Sequence, residues 1–562
     1  MWAPLAFSSV EMWSRGVLII GTWLLFLLWA LRQVWGVSAD AAGRHDEEWR
    51  HLRAFGRAAI FWVRHPRLAE WVSRLTDGRF PDPGALPKSI LEEARLQNYT
   101  YVAGRRWRRF GVEVPLAALC VLVFFQLLPI PPGMMRWISP GTHGLYEKLF
   151  SGYGTGKLEW TYTVSDANRD RLRIPVSTDE LLGERKPVEA PEEKLNRSDW
   201  LPLSLYPAAT LREGLYLLTL ALVMFLALQV FSEPKQIRFA LYMVLAAAFL
   251  TALAGLVQRL GNQENLVYGL RPIRVPGFAM AMGPFVNRNH FCALMELAFP
   301  IAVGFAFQPF FPALAKKFQP GAGGGDIRVR SRKRTEGFSL NQMARSMVFL
   351  FLAAVMLLAV SLSGSRGGLL VSASAMTLFL VMAFYLKRGL VPSLVSVLLL
   401  AGAGAAAVWY FGHWDAVEKR VEAIDMTEWS QESRVVIWED VLRGIREFPV
   451  LGTGWGTFRY AFPYRRTMPG EKSIADHAES DFFETWFEIG ALGMGIAGWL
   501  ALAIFFRGEA RASFLQTGMF VGLVSAVFHG ILDFPIHIPG VSYPLAFCAA
   551  MYLALSRVED LP

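Results

Sequence analysis

His477 lies in the stretch DHAESDFFE, where Asp476, Glu479, Asp481 and Glu484 crowd one imidazole with carboxylates. A histidine beside a carboxylate suits general-base chemistry, because the acid fixes the ring tautomer and raises its basicity. A second set of groups is cationic. Arg288, Arg366, Arg434, Arg459, Arg465 and Arg466 fall at the ends of apolar runs or in the loops between them. Guanidinium forks hold phosphate oxygens in bidentate fashion and stay charged at any working pH. A base near such forks suits attack on a carbon whose leaving group departs as a phosphate. Arg366 is the most telling, because SLSGSRGGLL is a turn that Gly364, Gly367 and Gly368 can form without any charged residue.

These residues need a scaffold, and composition defines it. The chain has 562 residues, 53% hydrophobic and only 18% charged, and several windows exceed the roughly 18 apolar residues that cross a bilayer as helix. No ten-residue alternation suggests a membrane β-barrel. The expectation is an all-α polytopic membrane protein with about 11 transmembrane helices. Cys120, Cys292 and Cys548 each sit inside an apolar run and read as packing residues, with no metal spacing and no disulfide pair.

Lys and Arg set the orientation. The arginine-rich segment ending in RRWRRF, the loop with RVRSRKR, and the connections PKQIR, LKRG and FRGEARAS all fall on one side, which is therefore cytoplasmic. The chain divides into 1–37, a first transmembrane helix; 38–110, a basic amphipathic cytoplasmic insertion suited to anionic lipid; and 111–130, a second span. An outer insertion follows over 131–212, a transmembrane core over 213–411, an outer loop over 412–486, and C-terminal spans over 487–562. VSA at Val37 to Ala39 resembles a signal-peptide cleavage site, but a retained span fits the charge rule better. The outer loop carries a helix signal in SRVVIWEDVLRGIREF, with Val435, Trp438, Val441 and Leu442 at helical spacing, closed by Pro449.

On that outer side the arginines run against the usual charge bias. Arg434, on a charged helix face, can equally pair with Glu432, Glu439 or Asp440. Arg288 and Arg366 stand at span ends, where an ionisable residue is a functional hypothesis by default, although an arginine there can also snorkel. A lipid-linked pyrophosphate in the outer leaflet would recruit such a cluster. His143 and His413 read as solvated loop residues, and His529 and His537 as helix-end histidines with Asp533 between them.

Five stretches, GPFVNRNHFCALMELAFPIAVG, SLSGSRGGLL, SRVVIWEDVLRGIREFPVLGTGWGTF, DHAESDFFETWFEIGALG and ILDFPIHIPG, occur in an order that resembles the O-antigen ligase and polysaccharide polymerase family of bacterial inner-membrane glycosyltransferases. LLPIPPGMMRWISPG and LSLYPAATLREGLYLL look like pieces of members with an enlarged outer insertion, so the resemblance runs from about Val112 to the end. It implies a GT-C-like bundle with large periplasmic loops. It implies transfer of a glycan from an undecaprenyl-pyrophosphate carrier to an acceptor hydroxyl at the periplasmic face, with no metal and no cofactor. Carried over residue by residue, Arg366 and Arg434 bind the pyrophosphate and His477 is the essential loop histidine. Arg288, Asn289, His290, Arg459, Arg465, Arg466, Glu479 and Asp533 complete the expected substrate-binding set. Ala478 and Phe482 depart from the family pattern, where asparagine and leucine are common, in the element that would position the acceptor.

Direct displacement would invert the anomeric carbon, with arginines supplying the charge that a metal otherwise provides. The acceptor could be a lipid A core sugar, another lipid-linked glycan in a polymerase, or a protein serine or threonine. The lipid bilayer is the other partner, and no nucleic acid is expected. Two readings from other classes compete. A lipid-linked glycan flippase or transporter should show mid-membrane charges and repeated halves, and no internal repeat is visible. A non-catalytic scaffold gives no reason for outward arginines.

Overall fold

The structure is a computed structural model that describes residues 12–42, 109–150, 152–156, 158, 198–261, 266–267, 271–272, 280–310, 339–385, 434–464, 476–508 and 513–557. Most of the expected insertion 38–110, the RVRSRKR loop, residues 386–411 at the end of the expected transmembrane core, and Arg465 and Arg466 lie outside those residues.

Helix α1 is Met12–Ala42, followed by α2 (Glu113–Phe125), the short helices α3 (Pro132–Ile138) and α4 (Pro140–Leu149), and the long α5 (Pro207–Val230) and α6 (Pro234–Leu260). Next come α7 (Arg288–Phe307), α8 (Leu340–Ser363), α9 (Arg366–Tyr385), the loop helices α10 (Arg434–Glu447) and α11 (Phe458–Ala461), then α12 (Asp481–Arg507), α13 (Phe514–Leu532) and α14 (Pro539–Ser556). Two antiparallel pairs of two-residue strands, Pro129–Ile130 with Leu201–Pro202 and Leu266–Val267 with Arg271–Pro272, only pin loops. Many helix starts are written locally. Proline occupies the first turn of α3 to α6 and α14, and Ser339, Ser480 and Ser513 cap α8, α12 and α13 through their hydroxyls.

Among the described residues, eight helices are long and apolar enough to cross a membrane, and the protein is an all-α, multi-pass membrane protein. Two shorter apolar helices, Arg15–Ala30 within α1 and α2, stand where the first two spans were expected. The expected second span is cut short because α2 stops at Phe125 and the chain turns into the strand pair at Pro129.

Helix α7 is the axis of the bundle, buried from His290 to Phe307 and packed chiefly on α13 and α8. Lipid tails are as apolar as leucine, so helices in a bilayer are held by close packing rather than by water exclusion. Small residues let α7 and α13 meet backbone to backbone: a Cβ on Gly518 would stand 2.2 Å from the Pro300 carbonyl oxygen, and one on Gly522 2.4 Å from that of Leu297.

The turn that holds Arg366 is equally determined. Gly364 ends α8 at φ +67°, in the left-handed region. Buried Ser365 then starts α9, its hydroxyl accepting from Gly368 N at 3.0 Å and donating to Asn289 Oδ1 at 2.8 Å. That last bond ties the beginnings of α7 and α9 to one end of the bundle, so Arg288 and Arg366, the first residues of those helices, share it.

Helix α12 is two helical segments joined at Gly490 (φ 63°, ψ −170°). Residues 449–454 run beside the join, with Thr453 N donating to Phe487 O at 3.0 Å, Gly454 N to Glu488 O at 2.9 Å and Ala491 N to Pro449 O at 2.8 Å. Buried Gln126, just beyond α2, locks the crossing by donating to Leu451 O and Glu488 O and accepting from Trp455 N. The part of α12 before Gly490 is therefore bonded to residues 449–454, and the helix begins six residues ahead of the expected span start at Phe487.

Overpacking a tight helix contact costs about 1–3 kcal/mol. Gly522→Leu should therefore lower the thermal unfolding temperature in detergent by several degrees or prevent folding. Gly498→Leu, on α12 where an added Cβ would meet nothing within 4 Å, should unfold as the parent does; equal loss in both variants would contradict the close α7–α13 contact.

Candidate functional site

The start of α12 organises one end of the bundle. Ser480 caps the helix, and Asp481 and Glu484 stand in its first turn, where carboxylates interact favourably with the positive end of the helix dipole. Both are buried, and each binds a histidine. Glu484 Oε1 lies 2.9 Å from His477 Nδ1, while its Oε2 accepts from Ala478 N at 2.8 Å. Asp481 Oδ1 lies 2.7 Å from His537 Nδ1, and its Oδ2 accepts from Ile536 N at 2.9 Å. His537 Nε2 is 3.6 Å from Glu484 Oε1, so one carboxylate stands between two imidazoles.

A carboxylate at Nδ1 of His477 favours the tautomer with its proton on that nitrogen, in which Nε2 carries the lone pair. Among the described residues nothing bonds Nε2, and the side chain is 31% exposed. Asp476, the nearer carboxylate in sequence, does not orient the ring: it pairs with Arg459 at 3.0 Å, both side chains more than half exposed. The face of His477 stacks on Phe534, with centroids 4.1 Å apart and planes at 16°.

Phe534 touches a second imidazole. His290 meets its ring edge-on at 4.7 Å, and His290 Nε2 lies 3.7 Å from Asp533 Oδ1. His529 Nε2 approaches Asp533 Oδ2 at 3.9 Å, and its Nδ1 is 2.7 Å from Glu296 Oε2. All four groups are buried. Burial disfavours the Asp533 carboxylate, but the two imidazoles outweigh it and hold this carboxyl well below the usual range. Glu296 and His529 both lie within spans, Glu296 two turns inside α7, so ionisable groups are not confined to the helix ends.

The arginines divide. Arg434 opens α10 and donates to the Leu532 carbonyl at the end of α13 and, at 3.2 Å, to Glu479 Oε2. Of the local carboxylates that could have claimed it, Asp440 and Glu439 lie 3.2 Å and 3.9 Å from Arg443, and Glu432 lies outside the described residues. Glu479 is the only non-glycine with positive φ among the described residues (55°), and burial pushes its carboxyl up, against Arg434. A non-glycine held there costs on the order of 1–3 kcal/mol, and such strain clusters at functional sites. Arg288 is half-buried and 3.3 Å from Met280 Sδ, whereas Arg366 is exposed. Arg465 and Arg466 fall outside the described residues.

The structure therefore brings His477, His290, Asp533, Glu479 and Arg434 into one cluster, with Asn289, Arg288 and Arg366 at the same end. Three participants were not foreseen. Phe534 carried no signal beyond its place in ILDFPIHIPG, and Glu488 was one carboxylate among many; its two oxygens accept from Gly456 N and Phe458 N and fix the glycine-rich loop. Glu296 was legible as a lone acid in FCALMELAFP, since an intramembrane carboxylate is rarely idle. Among the described residues, no group of three or more His, Cys, Asp or Glu side chains is arranged to hold a metal ion.

Residues 351–498 match the family model described as O-antigen ligase. The matched segment includes Arg366, Arg434, His477 and Glu484 but stops short of Asp533 and begins after Arg288. No curated protein matches the chain.

The His537 environment has a measurable consequence. Burial alone would lower its basicity, but Glu484 and Asp481 prevail and push its pKa up from 6.5 to about 10. The folded protein then keeps a proton that the unfolded chain releases, so this stabilisation is full below about pH 6.5 and is lost as pH rises through about 10. Thermal unfolding in detergent should show that decline, and His537→Gln should flatten it. The same slope in the variant would contradict the pairing.

Proposed function

We propose that this protein, whose residues 351–498 carry the O-antigen ligase family resemblance, transfers a glycan from an undecaprenyl-pyrophosphate carrier to an acceptor hydroxyl at the periplasmic face of a bacterial inner membrane. The observation that carries the reading is His477: Nδ1 is bound by a buried carboxylate and Nε2 is unbonded among the described residues, at the bundle end where α7 and α9 begin with Arg288 and Arg366.

Two helix N-termini and two guanidinium groups at one end favour a pyrophosphate there. In the proposed step, the acceptor hydroxyl gives its proton to His477 Nε2 as its oxygen attacks the anomeric carbon. The bond from that carbon to the pyrophosphate oxygen breaks on the opposite side, and the released charge falls to the arginines. One displacement inverts the anomeric centre, and neither a metal nor a covalent sugar intermediate is invoked. Arg434 enters this scheme already paired with Glu479, so a donor phosphate would compete with that carboxylate for the fork.

The Glu296–His529 pair is the feature that a transporter reading would use. From Leu297 to Phe307, however, α7 contains no ionisable side chain, so the polar cluster ends inside the bundle instead of continuing along that helix.

A general base contributes about 10²–10⁴-fold to a rate. His477→Ala should lose transfer of that order while retaining donor binding, Glu484→Gln should lower kcat with little change in donor KM, and Asp476→Ala should remain close to the parent. The assay uses purified protein with lipid-linked oligosaccharide and each acceptor class in turn. Transfer that survives in His477→Ala, or a larger loss in Asp476→Ala than in Glu484→Gln, would contradict the assignment.

A further inference from the structure

Tyr206 and Tyr460 come from separate parts of the chain and meet on the outer loop. Their ring centroids are 4.1 Å apart with planes at 30°, and the residues are 41% and 43% exposed. Neither position is left to chance. Tyr206 directly precedes α5, and the adjoining Leu205 N donates to Thr453 O at 2.8 Å. Tyr460 sits in α11, whose first residue, Phe458, donates its N–H to buried Glu488. Trp455 Nε1 donates to Glu213 O at 3.2 Å, which ties the loop to α5 a second time.

Charge surrounds the pair. Arg212 lies 3.0 Å from Glu213 and interacts with Tyr460, and Arg459, next to Tyr460 in the chain, binds Asp476 at 3.0 Å. Asp476 in turn is the residue before His477. A rigid exposed aromatic surface with arginine and carboxylate at its edge has the composition of a saccharide site. The C–H face of a pyranose packs on the ring, while its equatorial hydroxyls meet donors and acceptors around the rim. An acyl chain would meet the same aromatic surface but would desolvate the charges around it without replacing their hydrogen bonds.

We propose that Tyr206 and Tyr460 form a stacking platform for a pyranose ring of the glycan beside His477, an inference that rests on the glycan-transfer reading. The ring can belong to the donor's glycan or to a saccharide acceptor.

The test measures binding to full-length protein in nanodiscs with three probes: undecaprenyl pyrophosphate without sugar, the same lipid carrying an oligosaccharide, and the free oligosaccharide. Wild type should bind the glycosylated lipid more tightly than the bare lipid, or bind the free oligosaccharide measurably. Tyr206→Leu/Tyr460→Leu should weaken the sugar-dependent part by about three- to tenfold and leave bare-lipid affinity unchanged. Tyr206→Phe/Tyr460→Phe should retain it. Loss confined to the glycosylated lipid assigns the platform to the donor glycan, and loss confined to the free oligosaccharide assigns it to the acceptor. If the double leucine variant does not fold, Tyr460→Leu alone supplies the comparison. Sugar-dependent binding equal to wild type in the leucine variant, or absent from wild type, would overturn the platform. Absence of bare-lipid binding in wild type would instead count against the donor reading itself.

Discussion

Buried carboxylates must be paired, and the end of the bundle where α12 begins is organised around that requirement. Asp481 and Glu484 occupy the first turn of α12, and between them they hold His537, His477, the Ile536 amide and the Ala478 amide. Those bonds join three stretches of chain: the loop before α12, α12 itself, and the turn between α13 and α14. Removing either acid would leave the buried Ala478 amide or the largely buried His537 ring without its partner, a loss larger than the net worth of any one bond.

The same logic continues inward. Asp533 lies between His290 and His529, and Glu296 takes the other side of His529. The Asp481 N–H donates to the Asp533 carbonyl at 2.9 Å, so the pair at the start of α12 and the Asp533 cluster are connected through backbone as well as through Phe534. The close α7–α13 packing therefore has a chemical consequence: it sets the distance between Glu296 on one helix and His529 on the other. The loop side is fixed separately, by Gln126 and Glu488 holding the glycine-rich turn against the Gly490 join.

Much of the scaffold was legible because its signals are local. Apolar runs gave spans, and proline and serine marked helix starts. The SGSRGG turn is legible for the same reason, as its left-handed glycine and capping serine are adjacent. Partner choice is not local. Asp476 adjoins His477 and Glu484 is seven residues away, yet Glu484 orients the ring, because a helix starting at Asp481 turns it back toward the loop. Arg434 and Glu479 are 45 residues apart, and Tyr206 meets Tyr460 across the helices α5 to α10. Such pairings depend on how helices cross, which composition and spacing do not encode. The break at Gly490 was hidden too, since GALG sits inside a run whose hydropathy reads as one continuous helix.

In the proposed function, the end of the bundle with Arg288 and Arg366 at helix starts and His477 held by Glu484 is where a lipid pyrophosphate is cleaved. A cryo-EM structure of the His477→Ala protein bound to an undecaprenyl-pyrophosphate-linked oligosaccharide tests this most directly. The predicted density puts the pyrophosphate against Arg366 and Arg288, with the anomeric carbon facing position 477. A pyrophosphate bound at the opposite end, between Arg507 and Arg557 beside Phe110, would contradict it.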